Sequence, residues 1–174
     1  MKRSHWAPLA LLVALEATAC TAHVPPSEPH TTVGTVLPIR REPTMTGTIV
    51  SIPTPGSVTL VDVWSTTCAP CLATMPEIEA MWRAHKGAGL RVIGVAVDDN
   101  PGLVDKKVRE LGITYPIVMD PSGILRGALR VTELPGAFVV DRTGKVRVYR
   151  EGGDGSDRRA LRDAVEALLA EEKK

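Results

Sequence analysis

This chain of 174 residues has almost no excess of charge of either sign, no long apolar run and few cysteines. The 21 Lys and Arg nearly balance the 20 Asp and Glu, so the net charge of +1 offers no basic surface for nucleic acid. No apolar run reaches the roughly 20 residues that a membrane-spanning helix needs. Three cysteines are too few for a disulfide scaffold, and no internal repeat is present. These scarcities indicate one ordinary soluble domain with a tail.

The N-terminus predicts a signal peptide over residues 1–19. It has a basic start, a short apolar core at residues 7–15 and a small-residue cleavage site at residues 17–19. Cys20 follows directly, a placement that resembles the lipid-modified cysteine of bacterial lipoproteins. Secretion with an unmodified Cys20 is the alternative, and a permanent transmembrane anchor is a weaker one. With either form of Cys20 we expect the mature chain on the periplasmic side of a bacterial cell envelope, in an oxidising compartment.

The next segment is rich in proline. Seven of the 14 prolines lie between residues 21 and 56, which predicts a semi-extended linker over residues 20–45 and a folded domain over residues 46–174. If Cys20 carries lipid, this linker would hold the domain away from the membrane. Within this region, residues 33–39 and 48–52 are candidates for a leading hairpin.

The remaining sequence alternates strands with helices. Residues 58–64 (VTLVDVW) and 90–97 (LRVIGVAV) are apolar runs typical of buried central strands. Ser122 is the expected N-cap of a short helix over residues 122–129. The other predicted elements are strands at 117–119, 137–141 and 146–149 and helices at 72–86, 101–111 and 156–172. The order predicts an α/β fold with a mixed central sheet flanked by helices.

The pair Cys68-Ala69-Pro70-Cys71 lies where a buried strand ends and a helix begins. Cys68 is then at the helix N-terminus, beside unpaired backbone N–H groups and the positive end of the helix dipole, which favours its thiolate form. Cys71, nearly one turn later, can close a disulfide with Cys68 and release a mixed disulfide formed with a partner. The spacing therefore predicts Cys68 as the attacking thiol and Cys71 as the resolving thiol.

Three other interpretations of the pair stay open. Zinc would need a second pair of ligands, and the domain offers only His85 in addition. A permanent structural disulfide across two residues would close a very small loop and so add little stability. Cu(I) accepts two thiolates, although no neighbouring His or Met is apparent in the sequence.

The segments LVDVWSTTCAPC, VAVDDNP, YPIVMDPSG and LPGAFVVDRTGKV together resemble the thioredoxin superfamily, in particular its exported TlpA-like or ResA-like branch. The resemblance covers residues 46–174. It implies a thioredoxin-like fold with a TlpA-type insert, containing YPIVMDPSG, ahead of a cis-proline loop. It also implies a cis bond between Leu134 and Pro135, with Pro135 lying against the cysteine pair and presenting backbone to the substrate.

Asp62 lies inside the apolar run of residues 58–64, where burial should raise its pKa and allow it to accept the proton of Cys71. Thioredoxin carries a buried Asp at this position, but its buried Lys partner would fall at Gly94 here. An Asp satisfied by backbone N–H groups, with no catalytic part, is the alternative.

We expect the remaining residues around the pair to bind the partner protein. This substrate-binding set comprises Trp64, Thr67, Ala69, Pro70 and Leu134. Two positions differ from the family: Thr67 replaces a common Trp, and Thr74 replaces the Glu of ResA-like members. Those differences argue against predicting a specific role in cytochrome c maturation.

The function predicted from these features is an envelope thiol-disulfide oxidoreductase, with the reductase direction favoured by the family resemblance. Its expected partners are protein thiol or disulfide clients, an upstream membrane or periplasmic thiol donor, and the membrane through a lipid anchor. We expect a monomer with no cofactor and no nucleic acid. The alternatives are a peroxiredoxin-like thiol peroxidase and a copper- or metal-binding chaperone module. The peroxidase class has Thr three residues before its reactive cysteine, where this chain has Ser65, and lacks this CxxC.

Overall fold

The computed structural model describes residues 30–171. The predicted signal peptide and Cys20 lie outside the described residues. Seven strands and four α-helices are present within that range. Along the chain they are β1 (Arg40–Pro43), β2 (Ile49–Ile52), β3 (Val58–Trp64), α1 (Ala69–His85), β4 (Leu90–Ala96), α2 (Pro101–Glu110), β5 (Ile117–Met119), α3 (Ile124–Ala128), β6 (Gly136–Val140), β7 (Val146–Glu151) and α4 (Gly155–Ala170).

Five strands form one mixed sheet in the order β5-β4-β3-β6-β7. Strand β3 pairs in parallel with β4 and antiparallel with β6, so it occupies the centre of the sheet. All seven of its residues are buried, because elements cover both faces of the sheet. The predicted mixed sheet between helices is therefore confirmed, and the first cysteine follows directly from its central strand.

Alternating residues of β3 point to two separate cores. Leu60 and Trp64 pack with apolar residues of α1 and α4 on one face of the sheet. Val61 and Val63 pack on the other face with residues of α3 and of the N-terminal segment. Because side chains alternate along a strand, Asp62 lies on the same face as α1 and its cysteines.

The N-terminal segment packs against this sheet from residue 30 onward, although the sequence assigned residues 20–45 to a linker. Leu37 is buried, and the N–H of Gly34 donates to the carbonyl of Val146 at 2.8 Å. The predicted hairpin also differs, because β1 at residues 40–43, and not residues 33–39, pairs with β2. Residues 33–37 instead bond with the strand β7 and the turn before it, so they are not available to β2.

The short helix α3 begins later than predicted. Its N-cap is Gly123, in the left-handed region with φ of 68°, and not Ser122. The carboxylate of Asp120 accepts the N–H groups of Leu125 at 3.1 Å and Arg126 at 2.7 Å, and so replaces the hydroxyl that the sequence suggested. Among residues 30–171, no helix combines the length and apolar character needed to cross a membrane.

Candidate redox site

Cys68 and Cys71 form a disulfide at the start of α1, with their Cα atoms 5.3 Å apart. Cys68 is the N-cap of the helix, and its sulfur accepts the backbone N–H of Cys71 at 3.2 Å. Cys71 is fully buried, whereas Cys68 is partly exposed. A thiol or disulfide of another molecule can therefore reach Cys68 and not Cys71.

The loop before Cys68 is held by Asp98, just beyond the end of β4. Its carboxylate accepts the N–H of Thr66 at 3.0 and 3.1 Å and the hydroxyl of the same residue at 2.5 Å. The N–H of Cys68 in turn donates to the carbonyl of Ser65 at 3.1 Å. Asp98 is a site residue that sequence reasoning missed; the available signal was an acidic residue at the end of a parallel neighbour of β3.

The bond between Leu134 and Pro135 is cis, as the resemblance implied. Pro135 is buried, and it lies against Gly153: a Cβ added to that glycine would come within 2.8 Å of Pro135 Cγ and 3.0 Å of Thr74 Cγ2. Thr74 is one turn beyond Cys71 in α1, and its hydroxyl donates to the carbonyl of that cysteine at 2.9 Å. These contacts place the Pro135 loop beside the first turns of the cysteine helix.

Asp62 is buried on the α1 side of the sheet, with 1% of its surface exposed. Burial raises its pKa to about 7, and the nearby Tyr115 hydroxyl offsets part of that rise. Asp62, Thr74 and Pro135 line one pocket, together with charged side chains of β7 and α4. The structure thus brings the predicted proton acceptor and the predicted proline loop to the same pocket.

Gly94, which stands where thioredoxin has its buried lysine, has no space around it for a side chain. A Cβ at Gly94 would lie 2.6 Å from Ile117 Cδ1, 3.1 Å from the Tyr115 ring and 3.2 Å from Trp64 Nε1. Neither Asp62 Oδ2, the Tyr115 hydroxyl nor Trp64 Nε1 has a hydrogen-bond partner among the described residues. Three polar groups therefore lie in the core where thioredoxin has an ion pair.

The predicted partner-binding residues divide into two groups. Thr67, Ala69 and Pro70 are exposed beside Cys68, and Leu134 is half-buried, so these four are accessible to a partner. Trp64 is not accessible: it is fully buried and packs in the core on the α1 side of the sheet, because β3 is covered along its whole length. The prediction that Trp64 binds substrate is wrong.

Metal ligands are not clustered in the part of the chain that the structure describes. Within residues 30–171 no group of three or more His, Cys, Asp or Glu side chains is arranged to hold a metal ion. A zinc site built on Cys68 and Cys71 accordingly has no further ligands there.

The sequence model of the AhpC/TSA family matches residues 39–149, from just before β1 into β7. The chain belongs to the AhpC/TSA family. That match contains the cysteine pair, Asp62 and Pro135, so the site lies within the family unit.

Two curated relatives match parts of this chain. The chain is 35% identical over 102 residues to Protein DipZ of Mycobacterium bovis, which covers 56% of this chain and 15% of DipZ. It is 25% identical over 112 residues to the sporulation thiol-disulfide oxidoreductase A of Bacillus subtilis, covering 63% of this chain and 68% of that protein. The chain thus spans a small part of DipZ.

A crystal structure from Chlorobium tepidum, described as a thiol:disulfide interchange protein DsbE, superimposes with a TM-score of 0.74 at 29% identity. The superposition covers 79% of this chain and 97% of that one. The fold is therefore thioredoxin-like, as the family resemblance implied.

Proposed function

We propose that this chain is a thiol-disulfide oxidoreductase that exchanges disulfides with partner proteins. The observation that carries the proposal is the Cys68–Cys71 disulfide at the N-terminus of α1, with one sulfur accessible and the other buried. The C. tepidum structure described as an interchange protein and the B. subtilis relative named an oxidoreductase support it.

The exchange proceeds in two steps. In the reduced protein the Cys68 thiolate attacks one sulfur of the client disulfide, forming a mixed disulfide and releasing the first client thiolate. The Cys71 thiolate then attacks Cys68 Sγ, forming the Cys68–Cys71 disulfide and releasing the second client thiolate. Two electrons pass to the client, and an external dithiol donor returns them to the pair. The reductase direction follows from the family resemblance.

The backbone at the start of α1 stabilises the attacking group. The N–H of Cys71 points at Cys68 Sγ, and the first-turn N–H groups and helix dipole favour negative charge at that position. Asp62 is the proposed acceptor of the Cys71 proton, because it is buried on the same face as α1 and its pKa of about 7 suits proton exchange near neutral pH.

The proposed client surface comprises Thr67, Ala69, Pro70 and Leu134 together with the Pro135 loop. Thr67, Ala69 and Pro70 are exposed beside Cys68, Leu134 is half-buried, and none of the four carries a charge, so they suit an extended, uncharged segment of a client next to its disulfide. We further propose an envelope location with a signal peptide over residues 1–19, lipid attachment at Cys20, a tether over the following residues, and a monomer.

Insulin reduction by dithiothreitol tests the proposal. Wild type should accelerate the precipitation of reduced insulin, and Cys68→Ser should abolish the acceleration. Cys71→Ser should retain attack but accumulate mixed disulfides, which non-reducing electrophoresis and mass spectrometry would identify from the native host. Cys20→Ser is the matched control, since that cysteine lies outside the pair.

Hydrogen peroxide consumption distinguishes the thiol peroxidase alternative. An oxidoreductase of the proposed type should consume peroxide slowly or not at all. Rapid peroxide turnover that persists in Cys71→Ser, with no insulin reduction by wild type, would reject the proposal in favour of a peroxidase.

A further inference from the structure

The carboxylate of Glu151, at the end of β7, accepts hydrogen bonds from the loop that leads into Pro135. Oε1 of Glu151 accepts the N–H of Thr132 at 3.3 Å, the hydroxyl of the same residue at 2.9 Å and the N–H of Glu133 at 3.2 Å. The Tyr149 hydroxyl donates to the same oxygen. One carboxylate oxygen thus binds four donors, three of them in the two residues immediately before Leu134.

The residues that follow Glu151 contact the other end of the same loop. The N–H of Gly152 donates to the carbonyl of Pro135 at 3.1 Å. Gly153, with φ of 69°, packs so closely on Pro135 that a side chain there would collide with it. Residues 151–153 therefore fix the loop on both sides of the cis bond.

The ionisation of the two side chains suits this role. Burial raises the pKa of Glu151, but the hydrogen bonds from Tyr149, Glu133 and Thr132 outweigh it and hold that pKa below its ordinary value. Burial and the neighbouring Glu151 raise the pKa of the Tyr149 hydroxyl. At neutral pH, Glu151 is consequently an acceptor and Tyr149 a donor.

We propose that Glu151 is a positioning residue, which fixes the backbone of residues 132–135 in the orientation that a client segment needs to lie beside Cys68. This inference rests on the proposed oxidoreductase function. Glu151 does not touch the sulfurs; it acts through the loop, so it should determine how tightly the client binds and not how fast the bound client reacts.

The test combines kinetics with hydrogen exchange in the full chain. Glu151→Ala should raise the KM for a protein disulfide about tenfold and change kcat less than about twofold. The amides of Thr132 and Glu133 should lose protection in the same variant. Glu151→Gln retains an acceptor oxygen and should recover part of both effects. Glu110→Ala, an exposed carboxylate on α2, is the matched control and should leave KM and protection at wild-type values.

Two results would overturn the proposal. Unchanged protection at Thr132 and Glu133 in Glu151→Ala would show that the carboxylate does not hold the loop. Lost protection with a wild-type KM would show that the held loop does not matter for the client. If Glu151→Ala fails to fold, the same readouts apply to Glu151→Gln, where wild-type KM with lost protection is again a rejection.

Failure of the underlying function has a different signature. If wild type shows no insulin reduction that depends on Cys68, the oxidoreductase proposal fails, and with it the role of Glu151. If wild type is active and the Glu151 variants have the same KM and amide protection as Glu110→Ala, the oxidoreductase proposal stands and this inference alone is rejected.

Discussion

Asp62 on β3 and Gly94 on β4 are register partners in the parallel pair at the centre of the sheet. The glycine has no side chain to offer the acid, and the space beside it is filled by Ile117, Tyr115 and Trp64. At this position β4 therefore offers no basic side chain to stabilise the ionised form of the buried Asp62. That relationship explains why the pKa of Asp62 rises to about 7.

The resolving step should depend on Asp62. Because only the ionised carboxylate can accept the Cys71 proton, the release of a small thiol from a Cys68 mixed disulfide should accelerate as pH rises through about 7. Asp62→Asn should slow the release about 100-fold and remove this inflection. Stopped-flow release of a chromophoric thiol measures both effects. Asp163→Asn, exposed on α4, is the control, and a wild-type profile in Asp62→Asn would contradict the assignment.

The stability of the oxidised protein should also report on Asp62. Its pKa is 3.8 in the unfolded chain and about 7 in the fold, so the folded state binds the proton more tightly and its stability falls as pH rises between those values. Asp62→Asn lacks this fall. The free energy of unfolding of the variant relative to wild type should therefore increase by about 4 kcal/mol between about pH 4 and about pH 8. Urea denaturation measures it, and a difference that is the same at both pH values would exclude a buried, titrating Asp62.

Gly94→Ala should destabilise the protein by about 2 kcal/mol, because the new Cβ overlaps Ile117 Cδ1 and crowds the Tyr115 ring. Thermal and urea unfolding would show the loss. Gly87→Ala is the matched control, since nothing lies within 4 Å of a Cβ at that position. Equal stability of the two variants would mean that the core around Asp62 is looser than described.

The two cysteines of the reduced pair should differ in reactivity. Cys68 is partly exposed and accepts a backbone N–H, whereas Cys71 is fully buried, so iodoacetamide should modify Cys68 at least about tenfold faster. Mass spectrometry of peptides from reduced protein measures the ratio, in a Cys20→Ser background that removes the third thiol. Equal rates would argue against Cys68 as the sole attacking group.

Much of the redox site could be predicted because its residues are close in sequence. The apolar run of β3, the CxxC spacing and the helix predicted after it are local signals, and together they place Cys68 at a helix N-terminus. Asp62 could also be predicted as a site residue, because a charged residue inside a fully apolar strand is conspicuous. The prediction for Trp64 failed because β3 is covered on both faces along its whole length, so its last residue is as buried as Asp62.

The supporting contacts could not be predicted because they depend on how distant strands are placed. Glu151 meets Thr132 and Glu133 only through the antiparallel pairing of β6 with β7, and Asp98 meets Thr66 only across the β3–β4 pair. The cap of α3 was missed for a different reason: the contact is local, but Asp120 lies two residues before Ser122 and outside the usual N-cap position. Hydrogen bonds of this kind carry no periodicity in the sequence.

The course of residues 33–45 has a consequence for self-association. This stretch bonds to β7 at one edge of the sheet, where Gly34 donates to Val146, and to β5 at the other, where Met45 donates to Ile117. Exposed strand edges are templates on which a second chain can add its own strand. A chain that began at residue 46 would lack these bonds at both edges, so we expect it to self-associate more readily than the full chain.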